Sequence, residues 1–584
     1  NDLPSQSGFQ SVSCRALGCF CMETESEEAT GFAAAITKKP KPFSLNITNA
    51  KSSEALLRIL AAQNDWSIII QAYTQPKPPP AHAPSVYMER YRAGLKPLPP
   101  PKGNIVWTVA PEALEHALIG RRGDQRISHV PGMHGLCCKV PFSLLSQAHG
   151  LDFFPESWIV EPGAKPEPAA LSALRGSGTL ILKPNDGTQG DGIFLVRSAA
   201  ELDRLLTRQT QSVVLQRYIA KPMLLPAADG GGGFKFDLRI YALVLRCDPP
   251  QFFLCRDGLV RVCSESYTHP SKEGGGTRTS RHLTNYSINK MEAGFEHNTD
   301  PSEGAYGTKR SLQPVLEFMQ AHAGAGSGSS GDAEADENED AAEEGGTTTS
   351  RGRRGFSAEG TWEQIRSLVG RTLNAMASQL SGSGEEVDGI NGNDLWAPPR
   401  EGSALWVNVT TGWDDPSWGD WRSKCFHLLG IDVMLDERGR AHLLEVNCNP
   451  SLGVDAVYTT EGPYAQEPPP PPPSMADLVA QAVPLMKGKG VKVCKCRSHH
   501  RPHMHHPCPI DLAVKHSCVG GALSIVARDI AAHKVGEEPS MLSLCEGTSY
   551  EWIGDVGAAS QPAVRGSPEP KPVGSASAGE ESGE

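Results

Sequence analysis

The sequence contains no apolar run long enough to cross a bilayer, and aromatic residues make up only 6% of its 584 residues. A membrane-spanning helix needs about 18 or more consecutive apolar residues, whereas the longest apolar runs here, such as residues 240–245, have the length of strands. No signal peptide is recognisable. The fifteen cysteines are odd in number and lack the spacing of a disulfide framework, which fits a reducing compartment. These absences predict a cytosolic protein that does not associate with membranes.

The sequence also lacks internal repeats, a Gly-Lys-Ser/Thr phosphate loop and an excess of basic residues. The net charge of −12 argues against a general nucleic-acid binder. Hydrophobic residues make up 39% of the chain, which is enough for a sizeable core. The 60 glycines and 47 prolines are concentrated in particular segments. We therefore expect a folded core of enzyme size with disordered insertions and tails, and the order of predicted strands and helices makes its class α/β (α+β).

Composition and periodicity divide the chain into successive segments. Residues 43–150 have the alternating strands and helices of a small α/β domain, and residues 151–320 continue with longer strands. Residues 356–380 predict an amphipathic core helix, and residues 421–490 a C-terminal lobe that contains a hairpin. The remaining segments are expected to be a disordered N-terminus (1–42), a disordered acidic insertion (321–355), a loose insertion (381–420) and a disordered tail (491–584).

A phosphate-binding loop is predicted at residues 183–193, which read Lys-Pro-Asn-Asp-Gly-Thr-Gln-Gly-Asp-Gly-Ile. Lys183 ends a predicted strand and supplies a positive charge, and the glycines at 187, 190 and 192 let backbone N–H groups approach phosphate oxygens. A plain hairpin turn would explain the same residues. Residues 213–219 predict an apolar strand that could form a wall for an adenine ring, or could be an ordinary core strand.

A metal-binding hairpin is predicted at residues 430–447. Asp432 and Glu445 are equidistant from the Arg438–Gly439 junction, so a turn at that junction sets them directly opposite each other. Asn447 lies two residues beyond Glu445 and therefore on the same face. Three oxygen donors on an otherwise apolar hairpin are costly unless a cation or hydrogen bonds satisfy them, and oxygen donors suit a hard cation such as Mg²⁺.

A charged strand face is predicted at residues 235–239, where Lys235, Asp237 and Arg239 alternate with apolar residues. This face could be the wall of an anion-binding cleft or an ordinary solvated surface. The Asp257-Gly258 pair predicts a two-residue hairpin turn that brings Arg261 to the same sheet. The Cys/His-rich segment from Cys494 to Cys508 fits no closed zinc site well and is expected to be disordered.

Together these segments resemble the tubulin tyrosine ligase-like family of ATP-grasp amide ligases, and in particular its polyglutamylase type. Six blocks occur in the family's order: residues 183–193, 216–222, 235–239, Arg261, 282–285 and 425–451. The block at 132–139 resembles the segment that carries the family's upstream lysine, although Cys138 stands where an arginine is usual. The resemblance implies an ATP-grasp fold with a small N-terminal α/β domain and two lobes that close on ATP.

The resemblance also implies roles for individual residues. Catalytic residues near the γ-phosphate and the acceptor carboxylate would be Arg239, Arg261 and Lys139. Mg²⁺ would be held by Asp432, Glu445 and Asn447. ATP would be bound by Lys183, Gly187, Gln189, Gly190, Gly192, Ile193, Gln216, Arg217, Tyr218, Ile219, Lys235, Asp237 and Asn285.

The implied reaction is the ATP-dependent addition of glutamate to the acidic C-terminal tail of tubulin through an acyl phosphate. The implied partners are tubulin or microtubules and free glutamate, in the cytoplasm and cytoskeleton, with a cilium or basal body as a further location. Two alternatives stay open. One is a ligase of the same family that uses glycine or tyrosine, or a small-molecule acceptor. The other is a microtubule-binding pseudo-ligase without catalytic activity.

Overall fold

A computed structural model describes most of the chain beyond residue 42. The described residues are 43–71, 101–109, 118, 124–176, 178–185, 187, 190–227, 232–272, 279–290, 292–325, 356–381, 387, 390, 421–460, 467–485 and 503–554. The predicted disordered N-terminus, most of both insertions, the cysteine and histidine residues at 494–500 and the site residue Gln189 lie outside them.

Seventeen strands occur in the described residues. They are β1 (Ser44–Asn49), β2 (Ser67–Ile69), β3 (Ile105–Thr108), β4 (Arg126–Ser128), β5 (Ser157–Val160), β6 (Leu180–Pro184), β7 (Phe194–Val196), β8 (Val213–Arg217), β9 (Leu224–Pro226), β10 (Gly233–Cys247), β11 (Pro250–Val262), β12 (Lys309–Ser311), β13 (Cys425–Leu435), β14 (Ala441–Asn447), β15 (Asp455–Thr459), β16 (His503–Pro507) and β17 (Tyr550–Trp552).

Twelve α-helices occur in the same part of the chain. They are α1 (Glu54–Gln63), α2 (Met133–Leu136), α3 (Lys139–Ala148), α4 (Pro168–Ser172), α5 (Ala199–Leu206), α6 (Thr279–His282), α7 (Tyr286–Asn289), α8 (Leu312–Ala325), α9 (Ala358–Ser381), α10 (Ala476–Ala482), α11 (Pro509–Val535) and α12 (Met541–Cys545).

The largest element is a mixed sheet of 11 strands in the order β12-β11-β10-β13-β4-β3-β1-β2, with β14, β17 and β9 pairing to β13, β11 and β10. The strands β10, β11, β12, β13 and β14 pair antiparallel. The four short N-terminal strands pair parallel and join the rest through β4 and β13. The α/β segment predicted near the N-terminus therefore shares one sheet with the long central strands.

Strand β10 shows why this sheet is buried on both faces. Its even-numbered residues, such as Leu238 and Ile240, pack in one core with helix α9. Its odd-numbered residues, such as Tyr241 and Leu243, pack in a second core with helices α1 and α11. Alternate residues of a strand point to opposite faces, so a run that is apolar throughout satisfies two cores. The polar residues at 235, 237 and 239 lie on the face of helix α11.

A second, four-stranded antiparallel sheet has the order β5-β8-β6-β7. Leu180 and Leu182 of β6 are fully buried in a small core of their own, beneath helices α4 and α5. Lys183 lies in β6 and Gln216 lies in β8, so both belong to this sheet, opposite the charged end of β10. The sheet supplies one side of the candidate site.

Several sequence predictions agree with the observed elements. The core helix predicted at 356–380 corresponds to α9, and its apolar positions, such as Trp362, Ile365 and Leu373, are buried. The alternating strands and helices predicted from residue 43 onward are present, beginning with β1, α1, β2 and β3. These predictions succeeded because the hydrophobic residues recur with a clear period in these segments. The same hydrophobic residues are the ones that the core buries.

The predicted hairpin turn at Asp257-Gly258 is wrong. Strand β11 continues through both residues, and the turn between β10 and β11 lies at residues 248–249 instead. The pairing shifts between Ile240 opposite Gly258 and Ala242 opposite Leu254, which marks a β-bulge. A Cβ atom at Gly258 would lie 2.6 Å from the carbonyl oxygen of Arg239. Glycine here permits close approach of two backbones at a bulge and does not make a turn.

The prediction of a disordered tail beyond residue 490 is wrong for residues 503–554. Strand β16 pairs with β15, strand β17 joins the large sheet, and helix α11 supplies much of the second core. Helix α11 carries apolar residues around most of its circumference, so it has no amphipathic pattern to recognise. A helix that is apolar on all sides is typical of a buried position.

By length and composition alone, helix α11 could cross a membrane, although 67% of its most apolar window is buried inside the structure. Its charged residues Asp511 and Asp529 are also buried, and both form ion pairs. A buried core helix passes the same length and composition criteria. Its packing against α1 and the large sheet accounts for its apolar character.

Candidate functional site

A cleft lies between the small sheet and the charged end of the large sheet. Twelve of the residues selected from the sequence line it. They are Lys183, Ile193, Gln216, Arg217, Tyr218, Ile219, Lys235, Asp237, Arg261, Asn285, Asp432 and Glu445. Residues more than 250 positions apart in the chain thus meet at one place. This is the arrangement expected of a ligand site.

Two arginines and two aspartates form a connected network on the floor of the cleft. Arg261 Nε donates to Asp237 Oδ1 at 2.8 Å, and Arg261 Nη2 donates to Asp432 Oδ2 at 2.7 Å. Arg239 Nη2 donates to the same Asp432 Oδ2 at 2.9 Å, and its Nε contacts Oδ1. Strand pairing sets these contacts, because Asp237 lies opposite Arg261 and Arg239 lies opposite Asp432.

The network fixes the charge of its members. Burial opposes ionisation of Asp432, but Arg239 and Arg261 outweigh burial and hold the pKa of Asp432 well below its usual value. Burial likewise opposes the charge on Arg261, while Asp237 and Asp432 raise its pKa well above the usual range. Arginine forks match carboxylates in a bidentate geometry. The cleft floor therefore carries permanent charges of both signs.

The hairpin β13–β14 places Asp432 directly opposite Glu445, as predicted, but the turn position and the strand register that produce this pairing differ from those predicted. Next to the turn, Leu435 pairs with Ala441 and Val433 pairs with Leu443, so the turn is centred on Arg438. A register shift between Asp432 and Val433 leaves Leu444 as an extra residue and restores the opposition. The predicted turn position was displaced by half a residue, and a β-bulge offsets the difference.

The turn itself is shaped by Asp436. Its Oδ1 accepts hydrogen bonds from the backbone N–H groups of Arg438 at 2.9 Å and Arg440 at 3.0 Å. Gly439 adopts a φ of 74°, which a side chain disfavours. These local hydrogen bonds give the hairpin a defined end, and the bulge then sets the face on which Glu445 lies.

The donors on this hairpin fit a hard divalent cation. Asp432 and Glu445 are paired across the strands and both line the cleft. Asn447 Nδ2 lies 3.3 Å from Asp432 Oδ2, so the amide is within hydrogen-bond reach of the same carboxylate. Carboxylate and amide oxygens are the ligands preferred by Mg²⁺. The assignment of the metal role to these three residues stays a prediction.

Two lysines, the half-buried Lys183 and the buried Lys235, face the cleft from opposite sheets. Lys183 Nζ donates to Gln216 Oε1 at 2.7 Å, and Lys235 Nζ donates to the hydroxyl oxygen of Tyr218 at 2.6 Å. Burial lowers the pKa of Lys183 to about 8 and that of Lys235 to about 7. Both amines can therefore gain or lose a proton near neutral pH, and an anionic ligand would favour their charged forms.

The glycine-rich loop lies at the edge of this cleft. Gly190 and Gly192 adopt φ values of 89° and 70°, which glycine alone accepts readily. Lys139 Nζ donates to the carbonyl oxygen of Gly187 at 2.7 Å, so Lys139 supports the loop from beneath. Lys139 lines a smaller neighbouring cavity and not the main cleft. Its predicted catalytic role is not tested by this position.

Sequence reasoning missed several residues that line the cleft. Apolar side chains form part of its wall, three from the two sheets and one from the segment after helix α6: Ile181, Met434, Leu444 and Leu283. Ile181 and Met434 each lie two residues from a selected residue, Lys183 and Asp432, so strand alternation could have found them. Leu444 faces the cleft only because of the bulge, which nothing in the sequence indicated. His282 and Thr284 also line the cleft, beside the selected Asn285.

The chain matches the family described as "Tubulin-tyrosine ligase family" over residues 122–320 and 420–461. These ranges include every site residue discussed above. The matched ranges do not include residues 503–554, although strand β17 pairs with β11 in the large sheet and helix α11 packs in the second core.

Individual relatives are tubulin polyglutamylases. The chain is 29% identical over 362 residues to "Tubulin polyglutamylase TTLL7" of Xenopus tropicalis, which covers 60% of this chain and 32% of that protein. It is 28% identical over 361 residues to "Tubulin polyglutamylase TTLL6" of Mus musculus, covering 60% and 34%. It is 26% identical over 341 residues to "Tubulin polyglutamylase TTLL11" of Homo sapiens, covering 56% of this chain and 38% of that protein. The chain thus spans about a third of the length of these relatives.

Proposed function

Because this chain carries a domain of the tubulin-tyrosine ligase family, we propose that it is an ATP-dependent ligase that adds glutamate to the acidic tail of tubulin. Its relatives are tubulin polyglutamylases, which favours glutamate over other amino acids. We take the two sheets that flank the cleft as the two ATP-clasping lobes of an ATP-grasp fold. The proposed setting is the cytoplasm and the microtubule cytoskeleton, including the cilium.

The observation that carries the proposal is the arginine–aspartate network beside the paired carboxylates. Arg261 contacts both Asp237 and Asp432, and Asp432 lies opposite Glu445. A ligase of this class must bring together two anions, the γ-phosphate of ATP and the acceptor carboxylate. Fixed guanidinium groups beside a cation site suit that task, since they stabilise charge without reorganising.

The proposed reaction has two chemical steps. The acceptor carboxylate attacks the γ-phosphorus of ATP, and an acyl phosphate forms as ADP leaves. The amine of free glutamate then attacks the acyl carbon, the amine proton is lost, and inorganic phosphate leaves as the amide forms. In this proposal Arg239 and Arg261 would orient the acceptor carboxylate and neutralise charge on the transferring group.

Nucleotide binding would use both sheets. Lys183 and the glycine-rich loop would hold the phosphates, and residues 216–219 would border the adenine together with the apolar wall. Asp432, Glu445 and Asn447 would hold Mg²⁺, which when bound would supply charge neutralisation between the phosphates. Lys235 and Asp237 would contact the nucleotide from the large sheet, and Asn285 from the loop before α7.

The deciding experiment incubates the purified protein with microtubules, ATP, Mg²⁺ and either glutamate, glycine or tyrosine. Intact-mass spectrometry of tubulin then measures the added mass. We expect increments of glutamate that require ATP and disappear in Glu445→Gln. The matched control is Glu437→Gln, on the same hairpin, where the carboxylate is 48% exposed and contacts only Lys221 among the ion pairs described here.

Each other outcome identifies a different error in the proposal. A mass increase that corresponds to glycine or tyrosine would support a ligase but show that its amino acid is not glutamate. ATP binding without any increase in the mass of tubulin would mean that the acceptor is a different molecule. A protein that binds no ATP would be a pseudo-ligase, and the catalytic proposal would be wrong. Full activity in Glu445→Gln would remove Glu445 from the metal site.

A further inference from the structure

Six consecutive prolines lie on the surface of this protein. They occupy residues 468–473, directly before helix α10, and residues 467–472 belong to no helix or strand. A proline fixes its own φ near −65° and favours an extended conformation for the residue before it. Each residue from 467 to 472 precedes a proline, so the sequence alone predicts a polyproline II helix over this segment.

The backbone at the end of this segment agrees with the prediction. Pro472 has a φ of −61° and a ψ of 154°, which are typical of a polyproline II helix. The Met475 N–H then donates to the Pro472 carbonyl oxygen at 2.9 Å, and a 3₁₀ turn begins at Pro473. A rise of about 3.1 Å per residue gives about 15 Å between the first proline and the last. We call residues 468–473 the proline rod.

The exposure of the prolines follows the repeat of this helix. A polyproline II helix has three residues per turn, so residues three positions apart share an edge. Pro468 and Pro471 are both half-buried and form the edge that faces the protein. Pro470 and Pro473 are both exposed and form the edge that faces solvent. The third edge has one exposed and one half-buried proline, so the proline rod presents one open edge of pyrrolidine rings.

Helix α10 fixes the proline rod to the folded protein. Met475, two residues after the rod, is buried, and so are Val479 and Ala482 of the helix. All three belong to the second core, together with residues of helices α1 and α11. A rod that is stiff and already fixed in place loses little conformational freedom when a partner binds it. The proline rod is therefore preorganised for binding.

The charges beside the proline rod are of one sign. Among the described residues 467–485, the charged residues are Glu467 and Asp477, and both are exposed. Acidic groups attract a partner that is basic around its binding groove and repel one that is acidic there. Proline-rich segments in the polyproline II conformation bind in grooves lined by aromatic side chains. Shape and charge thus specify the same partner surface.

We propose that the proline rod is a docking site for a protein domain whose groove is lined by aromatic side chains and bordered by basic residues. The rings of Pro470 and Pro473 would pack on the aromatic side chains, and Glu467 would face the basic border. The residues that line the cleft include none from the proline rod. The docked domain would therefore join this protein to another one without occupying the proposed ATP site.

The test measures binding of purified proline-recognition domains to the full-length protein by calorimetry. The probes are an EVH1 domain, a WW domain and an SH3 domain, chosen so that the borders of their grooves differ in charge. A synthetic peptide of residues 467–475 is titrated in parallel. We expect a domain with a basic border to bind the peptide and to bind the full-length protein at least as tightly. Higher salt should weaken both interactions, because the charge attraction is screened.

Two double substitutions then show which edge makes the contact. One variant combines Pro470→Ala with Pro473→Ala on the open edge, and the matched control combines Pro468→Ala with Pro471→Ala on the edge that faces the protein. Each variant lacks two prolines, so the loss of stiffness is similar in both. We expect the open-edge variant to lose about tenfold or more in affinity and the control to keep most of it. Glu467→Lys should also weaken binding.

Three results would overturn the proposal. A domain that binds the peptide but not the full-length protein would mean that the proline rod is covered. Equal losses in the two double variants would mean that stiffness matters and the open edge does not, as for a spacer between two elements. Absence of binding to all three domains would also exclude this class of partner. None of these measurements uses ATP or tubulin, so they are interpretable whether or not the proposed ligase activity is found.

Discussion

Arg261 donates to two carboxylates at once, with Nε 2.8 Å from Asp237 Oδ1 and Nη2 2.7 Å from Asp432 Oδ2. Its side chain is 15% exposed, while the two aspartates are almost completely buried. A single guanidinium group therefore compensates two buried charges and also borders the cleft. We therefore expect that removing Arg261 would affect both the stability of the fold and the proposed chemistry.

The first prediction concerns this coupling. Arg261→Met should leave Asp237 without the arginine partner described here and should lower the free energy of unfolding by about 3–5 kcal/mol, the range for breaking a buried ion pair. Ligation should fall by about 10²-fold or more, as for loss of one preorganised charge-stabilising group. The measurements are denaturant unfolding and the tubulin mass assay.

The matched control lies on the same strand. Arg256 pairs with Glu551 and is 43% exposed. Arg256→Met should cost only about 0–1 kcal/mol from the lost ion pair, because solvent screens it, and ligation should be retained. Equal effects of the two substitutions would contradict a special role for Arg261.

The second prediction concerns pH. Burial lowers the pKa of Lys183 to about 8 and of Lys235 to about 7. Phosphate favours the charged amines, so nucleotide binding should take up protons and affinity should be greatest below the pKa of the free protein. Between about pH 7 and pH 9, affinity for an ATP analogue should fall as the amines lose their protons.

Calorimetry in buffers of different ionisation enthalpy measures this proton uptake directly. Lys183→Met should remove the part of the uptake that is centred near the higher pKa. A substitution of Lys221, whose side chain is 70% exposed, is the control and should leave the uptake unchanged. Proton release on binding, or no proton exchange at all, would be inconsistent with phosphate contacts to these lysines.

The third prediction concerns helix α11. Asp529 accepts from Arg126 Nε at 2.9 Å and also from Arg246, and it is 1% exposed. It thus joins the C-terminal helix to strands β4 and β10. Asp529→Asn should lower the free energy of unfolding by about 3–5 kcal/mol, since the buried Arg126 and the partly buried Arg246 lose their charged partner.

The control for this prediction is Glu54→Gln. Glu54 pairs with Arg58 within helix α1, where both side chains are partly exposed, and its loss should cost about 0.3–0.5 kcal/mol. Thermal or denaturant unfolding distinguishes the two. Equal stability of Asp529→Asn and the parent protein would mean that the ion pairs between helix α11 and the large sheet contribute little to the fold.

The fourth prediction concerns the bulge in strand β11. Gly258→Ala should be destabilising by about 1–3 kcal/mol, as is usual for overpacking, because the new Cβ would meet the Arg239 carbonyl oxygen at 2.6 Å. Arg239 would shift with it, so affinity for Mg²⁺ and nucleotide should also change. Gly520→Ala is the control, since its Cβ meets only the flexible end of Leu60. A stabilised Gly258→Ala protein would contradict the bulge.

The residues that line the cleft could be predicted from the sequence, but helix α11, which packs against the large sheet, could not. Lys183, Lys235, Asp432 and Glu445 could be found because alternation and hairpin pairing are local rules that survive folding. Helix α11 could not be found, because an apolar helix buried on all sides has no period to detect. The turn predicted at Asp257-Gly258 was wrong because Asp-Gly is typical of tight turns. Only the neighbouring strand shows that the backbone of Gly258 must approach the backbone of that strand closely.

The bulge at Leu444 has a consequence for how this hairpin can vary. Val433 pairs with Leu443 on the turn side of the bulge and Asp432 pairs with Glu445 beyond it, so the extra residue Leu444 lets the strands keep both pairings. A residue gained or lost within the turn leaves Glu445 in place as long as the strands keep this register, whereas a slip of one residue would move Glu445 to the opposite face of the sheet. The length of the turn should therefore be free to vary among related chains, while the register of Asp432 opposite Glu445 should not.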